Sequence, residues 1–247
     1  AYVAPINRSV QDGRHKKFLN NNVGSKQLRC KMRDIQQELM NRKDKLVPML
    51  DAYCQSRSLK FHIPIDQLFD FEVLELEFSI WQWGHKIQDA PKKIQDDDVW
   101  LKYLVNEVDP DYFCTENKYI PFYHQVLREF GYYSYDIKRL GKNASLKSTN
   151  DYVRWVMLPE DMRDVKFDPT LYKSTEKFLK SSDPTHIFIY GEYDPWTASG
   201  VASWLKCSKK NNMRVYVQKQ GCHASRISSM PANTKKEITA LIKKWME

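Results

Sequence analysis

Glycine is scarce in this sequence, with eight residues among 247, against an average share of about 7% in globular proteins. None of the eight is followed two positions later by serine, so a G-x-S-x-G nucleophile elbow is absent. No two of them have the spacing of a G-x-x-x-x-G-K-[ST] phosphate loop or of a G-x-G-x-x-G dinucleotide motif. The sequence therefore excludes phosphate-loop nucleotide chemistry and Rossmann-type redox chemistry.

Long apolar runs and paired cysteines are also missing. No run of about 18 apolar residues occurs, so no membrane span is predicted. The cysteines include no C-x-x-C pair, which argues against a zinc ribbon or a thioredoxin-like motif, and we predict neither a metal site nor a cofactor. The odd number of cysteines leaves at least one thiol outside any intramolecular disulfide, and the sequence leaves the pairing open. The five cysteines are Cys30, Cys54, Cys114, Cys207 and Cys222.

The charge is basic but dispersed. The sequence has 39 Lys and Arg against 31 Asp and Glu, a net charge of +8. The basic clusters Arg14–Lys17, Lys206–Lys210 and Lys235–Lys236 are separated by the acidic stretches Asp66–Glu77 and Asp96–Asp98. This pattern favours a solvated surface over a nucleic-acid-binding stripe. With 42% apolar residues, the chain can bury a substantial core, which excludes disorder.

The apolar pattern changes twice along the chain. Tyr2–Ile6 is a short apolar run that predicts a buried strand. From Ser25 the apolar residues recur at helical spacing, and from Asp183 the order becomes strand, helix, strand, helix, which implies a parallel sheet. We therefore predict an α/β core formed by residues 1–24 and 183–247, with a mainly helical cap inserted at 25–182. Helices are predicted over Ile65–Trp83, Val99–Val108, Ile120–Phe130, Pro169–Lys180, Trp196–Lys210 and Asn233–Trp245, and strands over His186–Tyr190 and Arg214–Val217.

An acid and an imidazole follow the two predicted carboxy-terminal strands. Asp194 comes four residues after Tyr190, and His223 comes six residues after Val217. Because ligands and catalytic groups collect at the carboxyl ends of parallel strands, we expect these two side chains to meet. Their chain order, acid before histidine, is that of the α/β-hydrolase triad. Each residue also has a purely structural interpretation, with Asp194 opening a turn and His223 bonded to backbone groups in a loop.

Several segments of the sequence resemble those of a known family. They are Tyr190–Trp196 and Gly221–Ile227 near the end of the chain, Tyr2–Pro5 with Asp12 and Arg14 at the start, and Leu74–Phe78 with Trp81 and Gln82 in the predicted cap. Through them the chain is similar to the bacterial prolyl tri/tetrapeptidyl aminopeptidases, exported serine peptidases with an α/β-hydrolase fold, and the similarity covers nearly its whole length. The resemblance implies that the chain is the C-terminal portion of such a fold, with the last three parallel strands.

The resemblance implies catalytic roles for two residues. Asp194 would be the triad acid and His223 the general base, while the nucleophilic serine and the oxyanion hole would lie upstream of Ala1, in another part of the same protein. Ser25 and Ser199 are poor substitutes, because Ser25 opens a predicted helix and Ser199 falls inside one. A secreted or periplasmic location is also implied.

An exopeptidase that acts on free amino termini needs a carboxylate for the substrate ammonium, because desolvating an unpaired ammonium is costly. Glu75 is the first candidate, with Glu77 and Glu72 behind it; the alternative is a solvated helix face. Trp81 and Trp83 could line a proline-accepting pocket; the alternative for both is a place in the core, where aromatic residues on helices more often lie.

Three hypotheses follow. The first is a serine exopeptidase that releases tri- or tetrapeptides, with a preference for cleavage after proline, from peptides with a free amino terminus. The second is a noncatalytic peptide-binding or scaffold protein of the same fold. The third, nucleic-acid binding through the basic charge, ranks last because no base-reading motif accompanies that charge.

Overall fold

The computed structural model describes residues 13–247. The strand predicted over Tyr2–Ile6 lies outside this range. Within it the chain forms eight α-helices and a small parallel sheet of two strands. The helices are α1 (Arg14–Asn21), α2 (Lys26–Asn41), α3 (Lys43–Ser56), α4 (Ile65–Trp83), α5 (Asp97–Glu107), α6 (Ile120–Gln125), α7 (Thr170–Ser181) and α8 (Ala232–Met246); the strands are β1 (His186–Gly191) and β2 (Met213–Gln218).

Helix α4 is the centre of the helical region. Of its 19 residues, 14 are buried, so it is surrounded by other elements on every side. Pro64 precedes its first turn, and Gly84 ends it in the left-handed conformation at φ 74°, which glycine adopts without steric cost. The bounds agree with the predicted helix Ile65–Trp83, because no glycine or proline interrupts its apolar residues.

A buried ion pair fixes α4 to its neighbours. The Asp70 side chain is fully buried, and its Oδ1 lies 2.5 Å from Lys43 Nζ on α3. Its Oδ2 accepts the backbone N–H groups of Ser145 and Leu146 at 2.6 and 2.9 Å. A charge can be buried at such a depth only when it is paired and hydrogen-bonded. Asp70 therefore joins α3, α4 and the loop over 144–150.

The helix predicted over Trp196–Lys210 is wrong. Three short 3₁₀ turns replace it, at Pro195–Ser199, Val201–Ser203 and Cys207–Lys209. The reason lies at Gly200, whose backbone is extended (φ −66°, ψ 155°). A Cβ there would lie 2.9 Å from the ring of Tyr190, and the Tyr190 hydroxyl accepts the N–H of Val201 at 2.9 Å. A long-range contact with β1 thus breaks the local helical pattern.

The two strands pair in parallel, as predicted. His186 lies opposite Met213, and Gly191 lies opposite Gln218, so both strands end at the same edge of the sheet. Their hydrophobic cluster is small and separate from the large cluster of the helical region. The larger cluster contains residues from Val23 to Val165, and the smaller one contains Leu179, Phe188, Val201, Leu205, Cys207 and Met213.

The described residues show the state of the cysteines and the length and polarity of the helices. All five cysteines lie among them, and none forms a disulfide. Across residues 13–247, every helix is too short or too polar to cross a membrane.

Candidate active site

The structure brings Asp194 and His223 together. His223 Nδ1 lies 2.8 Å from Asp194 Oδ2, and each residue stands in the loop that follows one of the two paired strands. The expected meeting at the carboxyl edge of the sheet is therefore confirmed. The turn-forming role considered for Asp194 holds as well, since its Oδ1 accepts the backbone N–H of Trp196 at 3.1 Å. One carboxylate thus shapes its own loop and orients the imidazole.

Close contact between the two loops depends on Gly191. A Cβ at this position would overlap the backbone of Gly221 and the carbonyl oxygen of Cys222. The backbone N–H of Tyr193 donates to the Gly221 carbonyl at 2.9 Å, and the Thr197 hydroxyl donates to the Gly191 carbonyl at 2.6 Å. The first bond joins the acid loop to the histidine loop, and the second holds the acid loop against the end of β1.

His223 is also anchored to the helical region. Its backbone N–H donates to the carbonyl of Gln82 at 2.8 Å, and its ring meets the ring of Trp83 edge-on, with centroids 5.7 Å apart. The imidazole side chain is 30% exposed while that of Asp194 is 7% exposed. No residue among those described donates or accepts at Nε2. An Nδ1–H donated to the carboxylate leaves Nε2 as the basic nitrogen.

A cavity of about 480 Å³ extends from His223 into the helical region. One wall is the face of α4 that carries Glu75, Ser79, Gln82 and Trp83. The remaining wall is largely aromatic and comes from loops and short helices far apart in the sequence. Its aromatic residues are Tyr112, Tyr119, Phe122, Tyr123, Tyr132, Tyr133 and Trp196.

Glu75 is the acid of α4 that lines this cavity. Its Oε2 accepts the hydroxyls of Tyr133 and Tyr135 at 2.8 and 2.6 Å, and no described residue donates to Oε1. Burial raises the pKa of Glu75 to about 7, although the two tyrosine hydroxyls oppose that shift. A carboxylate so placed has one oxygen fixed by neutral donors and the other available to a cation.

Neither Glu77 nor Trp81 lines the cavity, so the structure does not bring these two predicted substrate residues to His223. Glu77 Oε2 lies 3.0 Å from an Arg139 guanidinium nitrogen, and burial raises the pKa of Glu77 to about 7 despite that cation. The Trp81 ring covers Gly24, which has no Cβ to displace it, and meets the ring of Tyr193 edge-on. Helical geometry turns both side chains away from the face that holds Glu75.

Glu72, the third acid considered, is fully buried. Neither of its carboxyl oxygens has a hydrogen-bond partner among the described residues. Burial raises its pKa well above the ordinary value, with the charge of Asp109 adding to the effect. A neutral carboxyl in this position is a poor partner for a substrate ammonium.

The two tyrosines that hold Glu75 are candidate site residues that were not predicted from the sequence. Tyr133 and Tyr135 lie in the loop after Gly131, between a helical turn and a 3₁₀ turn. The run Tyr132-Tyr133-Ser134-Tyr135 was the available signal, because a buried tyrosine hydroxyl usually has a hydrogen-bond partner.

An acid–imidazole pair that faces an aromatic cavity with a buried carboxylate defines a hydrolase-like site. The whole chain, residues 1–247, matches the family model described as PS-10 peptidase S37, and the chain belongs to this peptidase family. The family resemblance inferred from the sequence is thereby confirmed.

Among curated proteins, the chain is similar to the prolyl tri/tetrapeptidyl aminopeptidase of Streptomyces mobaraensis. The two are 23% identical over 255 residues, which cover 99% of this chain and 52% of the relative. The chain thus spans about half the length of the curated relative that it matches. No solved structure matches the chain.

Proposed function

We propose that this chain provides the acid, the general base and the substrate cavity of a serine exopeptidase. The observation that carries the proposal is the Asp194–His223 pair at the mouth of a cavity that also holds Glu75. The serine nucleophile and the oxyanion hole would come from residues outside this chain, and the two strands would belong to the sheet of an α/β-hydrolase. An exported location, which the family resemblance implies, is part of the same proposal.

The chemistry assigned to the pair is proton transfer. His223 Nε2 takes the proton of the serine hydroxyl as the oxygen attacks the scissile carbonyl, and then gives that proton to the leaving amine. The Asp194 carboxylate holds the imidazole in the required tautomer and stabilises the imidazolium ion. The limited exposure of Asp194 supports this role, because the interaction is stronger where water is excluded.

Glu75 is proposed as the partner of the substrate ammonium. It is the buried acid of the cavity whose hydrogen-bond partners are neutral hydroxyls, so its charge is available to an incoming cation. A charge-assisted bond to the ammonium would offset the desolvation of both groups. Glu77 is already paired with Arg139, so its charge is compensated without a substrate ammonium.

The distance along helix α4 between Glu75 and the level of His223 supports a preferred length for the released peptide. Gln82, whose carbonyl holds the backbone of His223, lies seven positions after Glu75, and a helix rises about 10 Å over seven positions. Three residues of extended peptide also span about 10 Å. A substrate whose ammonium binds Glu75 would therefore present its third peptide bond at His223, which favours the release of tripeptides.

The aromatic rings beside the imidazole support a pocket for an apolar residue before the scissile bond. Trp83 touches the His223 ring, and Trp196, two residues after Asp194, lines the same cavity. Flat aromatic faces suit the pyrrolidine ring of proline, which brings large apolar contact at little conformational cost. We assign this role to Trp83 rather than Trp81, because Trp83 lines the cavity.

The proposal is tested by digesting an unblocked peptide with the full-length protein and identifying the products by mass spectrometry. We expect the amino-terminal tripeptide, and we expect His223→Ala to lower kcat by a factor of about 10⁴ or more. His62→Ala, which removes an exposed imidazole outside the cavity, is the matched control and should keep normal activity. A wild-type protein that binds the peptide but never cleaves it would support the noncatalytic scaffold instead.

A further inference from the structure

A second acid stands in the cavity wall between Glu75 and the catalytic pair. Glu107, at the end of α5, lines the same cavity. Its Oε2 is bonded to Nδ1 of His85, and no described residue donates to Oε1. The proposed mechanism uses neither Glu107 nor His85.

The position of Glu107 along the substrate is set by a hydrogen bond. The Ser79 hydroxyl donates to the backbone carbonyl of Glu107 at 2.7 Å, which fixes this residue beside Ser79 on α4. Four residues separate Ser79 from Glu75, an axial rise of about 6 Å. In an extended peptide whose ammonium binds Glu75, the second residue lies at about this distance.

The cavity wall carries three acidic side chains, those of Glu75, Glu107 and Asp109. Neither lysine nor arginine is among the described residues that line it. Asp109, the third acid of the wall, is neutralised by Arg57, which donates to both of its oxygens at 2.7 and 3.2 Å. Glu75 is the proposed partner of the substrate ammonium. Glu107 is therefore the acid that remains to act on a substrate side chain.

We propose that Glu107 is a specificity-determining residue, which favours a basic side chain and disfavours an acidic one at the second position of the substrate. This inference rests on the proposed exopeptidase function, since that function sets the substrate register. Because His85 already bonds to Oε2, Oε1 is the oxygen assigned to the substrate side chain.

The test compares three substrates that differ only in their second residue: Ala-Lys-Pro, Ala-Gln-Pro and Ala-Glu-Pro 4-nitroanilides with free amino termini. For the full-length wild-type protein at pH 8, we expect kcat/KM to be at least about tenfold higher with lysine than with glutamate, with glutamine between them. Glu107→Gln should reduce that ratio to about twofold or less. Glu160→Gln makes the same charge change at an exposed residue outside the cavity and should keep the wild-type ratio.

The outcomes separate this inference from the function on which it rests. Cleavage of all three substrates at equal rates, or a lysine preference that survives in Glu107→Gln, would overturn the role of Glu107 and leave the peptidase intact. Failure of the wild-type protein to cleave any of the three would overturn the proposed function, and the inference with it.

Discussion

At the scale of single residues, the acids of α4 differ in the groups that pair with or hydrogen-bond to their carboxyl oxygens. Asp70 has a lysine and two backbone N–H groups, and Glu77 has an arginine. Glu75 has only two neutral hydroxyls, and Glu72 has no partner among the described residues. A buried carboxylate held by neutral donors reduces the stability of the free protein. We interpret Glu75 as a residue retained for binding rather than for folding.

The raised pKa of Glu75 makes a prediction about stability. The pKa of Glu75 is about 7 in the folded state and about 4.3 in the unfolded chain. Glu75 therefore makes its full contribution to the free energy of unfolding at pH values below its pKa in the unfolded chain. That contribution is lost as pH rises through about 7. Since glutamine never ionises, Glu75→Gln should be more stable than wild type at pH 8, by up to ~3 kcal/mol, and equal to it near pH 4. The same substitution should lower kcat/KM for unblocked peptides, because the ammonium loses its partner.

Urea unfolding of the full-length protein at both pH values measures this effect. Asp70→Asn is the control on the same helix. It leaves the Lys43 ammonium buried without a carboxylate, so it should lower the free energy of unfolding by about 3 kcal/mol. A Glu75→Gln variant that is less stable than wild type at pH 8 would show that the ionised carboxylate supports the fold.

At the scale of elements, the site depends on how closely two loops approach each other. Gly191 permits that approach because its missing Cβ leaves room for the Cys222 carbonyl. Gly191→Ala should therefore force the acid loop away from His223, with a loss of about 2 kcal/mol in stability and a disproportionate loss in kcat. Thr197→Val removes one hydrogen bond to the same residue without a clash and should cost only about 1 kcal/mol. Thermal unfolding and steady-state kinetics of both variants check this prediction; equal, small effects in the two would contradict it.

The elements also show what could be predicted from the sequence. Helix α4 and the two strands were predicted because apolar spacing and flanking glycine or proline act locally. The helix prediction for Trp196–Lys210 was wrong because a contact between Gly200 and Tyr190 on β1 overrides the helical spacing of the apolar residues. The pairing of Asp194 with His223 followed from strand order alone. The cavity could not be predicted, because tyrosines such as Tyr112 and Tyr133 converge from separate loops, and periodicity says nothing about that convergence.

At the scale of the whole molecule, we propose that the chain provides one part of a reaction. It contains an oriented imidazole and an aromatic cavity, yet its few glycines form no nucleophile elbow, and it spans about half of its curated relative. These facts together are the reason for assigning the nucleophile to residues outside the chain. The central claim is that His223 activates a serine that this sequence does not contain.

Labelling with a fluorophosphonate tests that claim most directly. A serine oxygen activated by His223 attacks phosphorus and displaces fluoride, which leaves a stable phosphonyl ester that peptide mapping can locate. In the full-length protein we predict one labelled serine, outside the 247 residues of this chain, and a labelling rate that falls by about 10³-fold or more in His223→Ala. A label on Ser25, Ser199 or any other serine of this chain, or labelling that His223→Ala leaves unchanged, would contradict the account.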